Sequence, residues 1–411
     1  MSTCHYIKHI EFLKMSSNKK ILIVIPKLSN GGIERVASNF SMNLAEDGYR
    51  QVIYSIMEQD ISYPFKVKPI ILSGELGSGF FGKGMVFIKR LLMLRSLVKE
   101  NEISIVISFG ERCNFLTMLA SLKCKKILTI HSQISIENKA KGIYGYLSDF
   151  AARYLYKSAD RIIAVSNVVA NDLRLNYHIP LSKIKTIYNG HDIEMITKKS
   201  SQVDISIKKN EIIYDFISVG RITYAKGHWH LIKAMSIVKK KYHNAKLIII
   251  GGEEEGISSE LITLSQKLGV EDNIIFYGYS DNPYKYMSSA RVFVLSSIFE
   301  GFPGVVVEAL ACGIPIVSSN SGGGTEVLLN GLLPSDLDDN KTYESEYGFV
   351  TPKLANKKDF SEDIDDATQM LAEAMIKCLE KEYDSSELVK KACEYSTISM
   401  VKNYELEISR L

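Results

Sequence analysis

Short apolar runs alternate along this chain with longer stretches whose apolar residues recur at helical spacing. In the first half, residues 21–25, 51–55, 103–107, 126–130 and 161–165 predict strands, each followed by a helical pattern. Runs that are apolar on both faces belong to strands covered by helices on both sides, so the pattern predicts a parallel, doubly wound sheet. The first helix is expected over 33–46, entered through Ser29-Asn-Gly-Gly32 and ended by Asp47-Gly48. The second half repeats the architecture without repeating the sequence, with strands expected at 216–219, 246–250, 274–277, 292–295 and 314–317. The expected fold is α/β, with one doubly wound domain over 1–192 and a second over 211–395. The polar, lysine-rich stretch 193–210 is expected to be a linker. Residues 396–411 carry Val401, Tyr404, Ile408 and Leu411 at helical spacing, and the polar, acidic stretch 330–346 predicts an inserted surface loop.

Residues 296–317 carry the most chemical information. Glu300 and Glu308 stand on either side of a Gly-Phe-Pro-Gly turn (Gly301, Phe302, Pro303, Gly304), and an apolar strand runs up to the first glutamate. The helix is expected to start near Gly304, with Pro303 at its mouth, and to end at Gly313. Glu308 then lies about one turn inside the helix and Glu300 on the loop before it. Free N–H groups and the positive dipole end at the helix mouth suit a phosphate. Carboxylates that grip hydroxyls beside an anion site suggest a ligand that is part sugar and part phosphate. A glycosidase pair, one acid and one nucleophile, is the other reading of two such glutamates; the phosphate-binding helix mouth between them weighs against it.

Other loops add to this. Val219-Gly-Arg221 ends a strand and Lys226-Gly227 opens a helix; arginine forks onto phosphate oxygens and lysine acts as a point charge. Gly31-Gly32 lies on the first strand-to-helix loop, where glycine lets a backbone approach a ligand. No G-x-G-x-x-G accompanies it, so dinucleotide binding is not supported. His131 ends a strand. Gly322-Gly323-Gly324 opens a further helix, and its amides could cradle phosphate or form an ordinary flexible turn. His228 and His230 are expected on a helix surface. The helical stripe Phe87, Leu91, Leu94 and Val98, flanked by Lys89, Arg90, Arg95 and Lys99, fits either core packing or a helix lying on an anionic membrane.

Composition narrows the class. At 411 residues the chain has room for two domains with full cores, and a net charge of +3 is too near neutral for a nucleic-acid protein. No apolar run approaches the roughly 20 residues of a spanning helix. Residues 1–18 lack the apolar core of a signal peptide, and Met15 is a second candidate start. The six cysteines are scattered with no C-x-x-C pair, which predicts free thiols in a reducing cytoplasm and no zinc site.

Taken together, these residues resemble the family 4 retaining glycosyltransferases of the two-Rossmann-domain (GT-B) type, over nearly the whole span from Gly31 to Phe349. Besides the E-x7-E stretch, the landmarks in order are Gly31-Gly32-Ile-Glu-Arg35, Ile130-His131, Val165-Ser166, Ile187-Tyr-Asn-Gly190 followed by Asp192, and Val219-Gly-Arg221 with Lys226-Gly227. The chain departs from the pattern after Gly322-Gly-Gly-Thr-Glu-Val327, where about twenty residues precede Gly348-Phe349, and Thr325 replaces a common proline. The resemblance implies two Rossmann-like domains facing across a cleft, the first for acceptor and the second for a nucleotide-sugar, with the terminal helix packing back on the first. It implies that Arg221 and Lys226 bind the donor diphosphate, Glu308 the ribose and Glu300 the transferred sugar. Gly31, Gly32, Gly301, Phe302, Gly323 and Gly324 would complete the donor site, with His131 hydrogen-bonding sugar or acceptor. No metal or resident cofactor is implied. The co-substrate would be a UDP-sugar, with GDP-mannose the main competitor. The acceptor would be a saccharide or lipid-linked saccharide of surface polysaccharide or lipopolysaccharide synthesis, with no nucleic-acid partner. Such an enzyme would be cytoplasmic, with peripheral contact at the cytoplasmic face of the inner membrane. Two alternatives remain: a sugar-nucleotide epimerase on the same fold, and a non-catalytic nucleotide-sugar binder.

Overall fold

The computed structural model describes residues 19–29, 31–46, 48–57, 61–72, 79–139, 141–202 and 214–411, and the statements below concern these. The chain divides into two compact units. One is Asp192–Tyr395; the other runs up to His191 and takes in Ser396–Leu411.

The first unit holds a seven-stranded sheet: β1 (Lys19–Ile25), β2 (Tyr49–Ser55), β3 (Ile70–Ile71), β4 (Ile105–Phe109), β5 (Lys125–Ile130), β6 (Arg161–Ala164) and β7 (Ile184–Thr186). Their order is β3-β2-β1-β4-β5-β6-β7, all parallel. β1 lies at the centre, and its continuous apolar run is explained by two buried faces. Ile21 and Ile23 pack with Val36 and Phe40, and Leu22 and Val24 pack with Leu94, Leu97 and Leu116 on the other side. The terminal helix, Thr397–Ser409, joins the first of these clusters through Met400, Val401, Tyr404 and Ile408. The Tyr404 ring lies 4.9 Å from that of Phe40, and each such side chain is worth about 1.5–3 kcal/mol when fully buried.

The second unit repeats the arrangement with β8 (Tyr214–Val219), β9 (Leu247–Ile250), β10 (Ile274–Gly278), β11 (Ala290–Leu295), β12 (Ile316–Ser319), β13 (Tyr343–Ser345) and β14 (Gly348–Thr351). The order is β10-β9-β8-β11-β12-β14-β13, parallel except for β13, which pairs antiparallel with β14. The 330–346 insertion is therefore more than a surface loop. It supplies β13, which extends the sheet and covers the edge that β14 would otherwise present.

The expected linker over 193–210 is also corrected. Its first part is a helix, Ile193–Ser200, capped by the Asp192 carboxylate, which accepts from Met195 N at 2.9 Å. Ile193 and Ile196 are buried, and the helix packs on those of Tyr284–Met287 and Gly304–Ala311. Lysines on its outer side had masked an amphipathic pattern. Residues 203–210 lie outside the described residues. The thiols of Cys113, Cys124, Cys312 and Cys378 are free.

Candidate active site

In the second unit the chain winds outward from β8 through β9 to β10, then returns to place β11 on the other side of β8. Ligands of open α/β sheets bind beyond the carboxyl ends of the strands at such a reversal. Arg221 and Lys226 follow β8, and Glu300 follows β11, so the reversal collects three of the residues singled out by sequence.

Lys226 Nζ donates to Glu300 Oε1 at 2.6 Å, and Ser297 Oγ donates to the same oxygen at 2.7 Å. The lysine and glutamate side chains are 19% and 15% exposed, so water reaches the pair only in part. Backbone contacts hold the two loops in register: Ile298 N donates to Ala225 O at 2.8 Å, and Ser296 Oγ to Lys226 O at 2.9 Å. Gly227 makes the approach possible. Its φ is +57°, and a Cβ there would lie 2.3 Å from Ser296 O.

The helix Gly304–Ala311 begins directly after this loop, behind Pro303. Glu308 lies about one turn in and is buried. The loop after β12 closes on Glu300 from the other side. Glu300 N donates to Ser321 O at 2.7 Å, and Glu300 and Gly322 form an isolated parallel bridge. Gly322 has a φ of +141°, and a Cβ on it would come within 2.1 Å of Glu300 O. A Cβ on Gly323 would meet Gly301 O at 2.6 Å, so the two glycine turns pack backbone to backbone. Phe302 is buried, with its ring 5.6 Å from Tyr395. Thr325 has a specific function in this chain: its hydroxyl donates to Asn320 Oδ1 at 3.0 Å, and Asn320 Nδ2 donates to Pro334 O at 3.1 Å. The departure from proline thereby ties the glycine turn to the insertion.

Arg221 is placed differently. Its Nη1 donates to both oxygens of Glu254, at 2.8 and 2.6 Å, on the surface. An ion pair this exposed is worth about 0–1 kcal/mol, so it yields easily to a competing anion. The neighbouring Glu253 caps the helix Ser258–Lys267. The Ser258 hydroxyl and a row of backbone N–H groups hold its carboxyl down at about 2.

His228 and His230 are not on a helix surface. Both are buried, because the first turns of His228–Lys241 are covered on all sides. His230 Nδ1 lies 2.6 Å from Thr368 Oγ1 and Nε2 lies 3.0 Å from Ala355 O. Burial pushes His228 down to about 4, with Lys226 adding to the effect.

In the first unit, Gly31 and Gly32 follow β1 and open the helix Gly32–Asn43. The Glu34 carboxylate folds back over Gly31, where a Cβ would lie 2.0 Å from its Oε2, which gives Glu34 a structural role that its sequence position did not reveal. His131 follows β5. Thr129 Oγ1 lies 2.9 Å from His131 Nε2 and donates its own proton to Ser108 O at 2.9 Å. That hydroxyl has one proton to give, so Nε2–H donates to it and Nδ1 is left as an acceptor. Burial holds His131 down at about 4, so the ring is neutral near pH 7. Glu111, the first residue of the helix after β4, was not picked out by sequence. Burial pushes it up to about 7, and Tyr156 donates to it at 2.5 Å. Among the described residues, no group of three or more His, Cys, Asp or Glu could hold a metal.

Two sheets of this order, each with polar loops at a reversal point, define a class whose members the chain matches along most of its length. Residues 30–195 match the model of Glycosyltransferase Family 4, and residues 200–392 that of Glycosyl transferases group 1. The chain belongs to the family 4 type glycosyltransferases, and it is an enzyme of that class. Among its relatives is an uncharacterized glycosyltransferase of Methanocaldococcus jannaschii, 28% identical over 78% of this chain and 83% of the relative. Another is the N-acetylgalactosamine-N,N'-diacetylbacillosaminyl-diphospho-undecaprenol 4-alpha-N-acetylgalactosaminyltransferase of Campylobacter jejuni, 28% identical over 79% of this chain and 88% of the relative. The fold is that of Anabaena HepE in complex with UDP, with a TM-score of 0.69 at 18% identity over 95% of this chain and 100% of that one. The chain is thus a GT-B glycosyltransferase whose named relatives act in polysaccharide and lipid-linked saccharide synthesis. These relatives lend no support to the epimerase alternative.

Proposed function

We propose that this enzyme transfers a sugar from a UDP-sugar to a lipid-linked saccharide, with retention of anomeric configuration, in the synthesis of a surface polysaccharide at the cytoplasmic face of the membrane. The observation that carries this reading is the Lys226–Glu300 pair at the sheet reversal, beside the helix mouth at Gly304 and with Glu308 one turn beyond it. The C. jejuni relative is named for a diphospho-undecaprenol acceptor, and the HepE structure holds UDP; both support the choice of substrates.

In this mechanism Lys226 and Arg221 hold the donor diphosphate, Arg221 exchanging Glu254 for phosphate oxygens. Both stabilise the negative charge that grows on the departing nucleotide. Glu308 takes the ribose hydroxyls. Glu300, oriented by Lys226 and Ser297, takes hydroxyls of the transferred sugar. Gly301, Phe302, Gly323 and Gly324 shape the site around them. In the first unit, Gly31 and Gly32 bring backbone to the substrate, and the neutral His131 offers Nδ1 to a sugar hydroxyl. No side chain serves as nucleophile: the acceptor hydroxyl attacks from the face the nucleotide leaves, and the leaving phosphate takes its proton. The cationic side chains and helix N-termini supply the electrostatics, without a metal.

The test is transfer from UDP-sugars to a synthetic lipid-linked acceptor, in buffer containing EDTA, with the product's anomeric coupling read by NMR. The expected product keeps the donor's configuration. An inverted product, or activity that is lost to EDTA and restored by Mg²⁺ or Mn²⁺, would overturn the proposal.

A further inference from the structure

The first unit exposes an unusual amount of apolar surface on one side. The helix Gly142–Leu155 holds Ile143, Tyr146, Leu147, Phe150 and Tyr154 between 57% and 73% exposed. At 3.6 residues per turn these five fall within an arc of roughly 100°, so they form one continuous stripe turned outward. Its acidic residue, Asp149, is turned inward, accepting from Asn138 Nδ2 at 2.7 Å and from the Tyr177 hydroxyl. Arg153 is exposed at the border of the stripe.

A second helix, Gly79–Glu100, continues this side. Leu94 and Leu97 are buried, and Leu91 and Val98 pack against the same core, so the stripe seen in the sequence is core at Leu91, Leu94 and Val98, whereas its first member, Phe87, is exposed. The opposite face is the informative one. Met85, Ile88 and Leu92 are 55–60% exposed, and Lys89, Arg95 and Lys99 share roughly the same third of the circumference. The helix carries five basic residues against one acid, Glu100. The helix Glu111–Leu119 packs against both of these helices and adds the exposed Leu119 between them.

An outward face of this extent needs an occupant. Aromatic and aliphatic side chains interleaved with lysine and arginine match the interfacial layer of an anionic bilayer, where tyrosine sits at headgroup depth and basic groups meet lipid phosphates. A second copy of the chain fits worse, because a two-fold contact would set one basic face against another. We propose that the outward faces of Gly142–Leu155 and Gly79–Glu100 form the surface by which the enzyme docks on an anionic membrane. The proposal rests on the lipid-linked-acceptor reading for its purpose, since it names where the enzyme meets the acceptor's membrane. Its evidence is independent of the donor site.

The test is co-sedimentation with vesicles of phosphatidylcholine alone and of phosphatidylcholine mixed with phosphatidylglycerol. The wild-type protein should bind the mixed vesicles and release at high salt. Leu147→Ser with Phe150→Ser should weaken binding by roughly tenfold or more. Lys89→Glu with Lys99→Glu should weaken it comparably on the anionic vesicles alone. A thermal shift with UDP, measured on every variant, reports the donor site separately. If UDP shifts all variants but vesicle binding is absent or unchanged by the substitutions, the docking surface is wrong and the proposed function stands. If vesicles bind as expected while no nucleotide shifts any variant, the proposed function fails and the surface stands. A wild-type dimer in sedimentation velocity that the Leu147 and Phe150 changes dissolve would assign the face to self-association and overturn the proposal.

Discussion

Replacing Lys226 by alanine separates a structural lysine from a functional one. In the folded protein the Lys226 ammonium meets Glu300 Oε1 at 2.6 Å, with the two side chains 19% and 15% exposed. Removing one partner of a fully buried pair costs about 3–5 kcal/mol, because the other charge is left uncompensated. Here Ser297 still donates to Glu300 and water has partial access, so the expected loss is about 1–2 kcal/mol. The expected loss in turnover is larger. Lys226 is one of two cations proposed to face the leaving diphosphate, and deleting a single contact of this kind typically lowers the rate by about 10²–10³, or roughly 2.7–4 kcal/mol. The double variant Lys226→Ala/Glu300→Gln discriminates further, because it removes the orphaned charge. Urea unfolding should show most of the lost stability returning, while transfer stays low. If transfer returned together with stability, or if Lys226→Ala kept near wild-type turnover, Lys226 would be a structural partner of Glu300 and its place at the diphosphate would be refuted.

Three further outcomes follow from the same geometry. Glu308→Ala should weaken binding of the bare nucleoside diphosphate by roughly ten- to a hundredfold, the worth of hydrogen bonds to a charged group, whereas Glu300→Ala should leave it unchanged; equal losses by calorimetry would contradict the division of labour. Gly322→Ala places a side chain at φ +141° against Glu300 O; it should cost about 1–3 kcal/mol in urea unfolding and reduce transfer by displacing Glu300, and an unperturbed variant would mean that this turn is freely deformable. His131 and His228 are held near 4 in the folded chain against 6.5 unfolded, so their contribution is complete above 6.5 and lost as pH falls through 4. Glu111 is raised to about 7 from 4.5, so its contribution is complete below 4.5 and lost as pH rises through 7. From pH 7 to pH 5 each histidine removes about 2 kcal/mol and Glu111 restores about 2 kcal/mol. Glu111→Gln removes the restoring part, so denaturant melts should show a steeper acid loss than in wild type, and identical slopes would refute the assignment.

Much of the fold was legible because its central strands are buried on both faces. β1, β2, β5, β6 and the inner strands of the second sheet fall within one or two residues of their apolar runs. β3 with two residues, β7 with a lysine at its centre, and β13 inside an acidic stretch carry no such run, and they became strands through their neighbours. His228 and His230 look like surface groups in a lysine-rich helix. Only tertiary packing shows Thr368 and Ala355 against His230. Within the site, residue types and loop positions were readable, but partnerships were not. Lys226 finds Glu300 and Arg221 finds Glu254 across separations of 74 and 33 residues, which no local pattern encodes. Ser297 gave a faint signal, as a hydroxyl residue at the end of β11 three positions before the glutamate it orients.

In the proposed function, the reversal point of the second sheet binds a nucleotide-sugar. Thermal unfolding with UDP, UDP-sugars and GDP-mannose in parallel tests it most directly. At free ligand about a hundredfold above its Kd, binding stabilises the folded state by about 2.7 kcal/mol, which for a unit of this size raises the midpoint by roughly 5–10 °C. Such a shift is expected with UDP and a UDP-sugar, and Glu308→Ala should abolish it. A panel in which no nucleotide moves the midpoint, or one in which Glu308→Ala responds as wild type does, would contradict it.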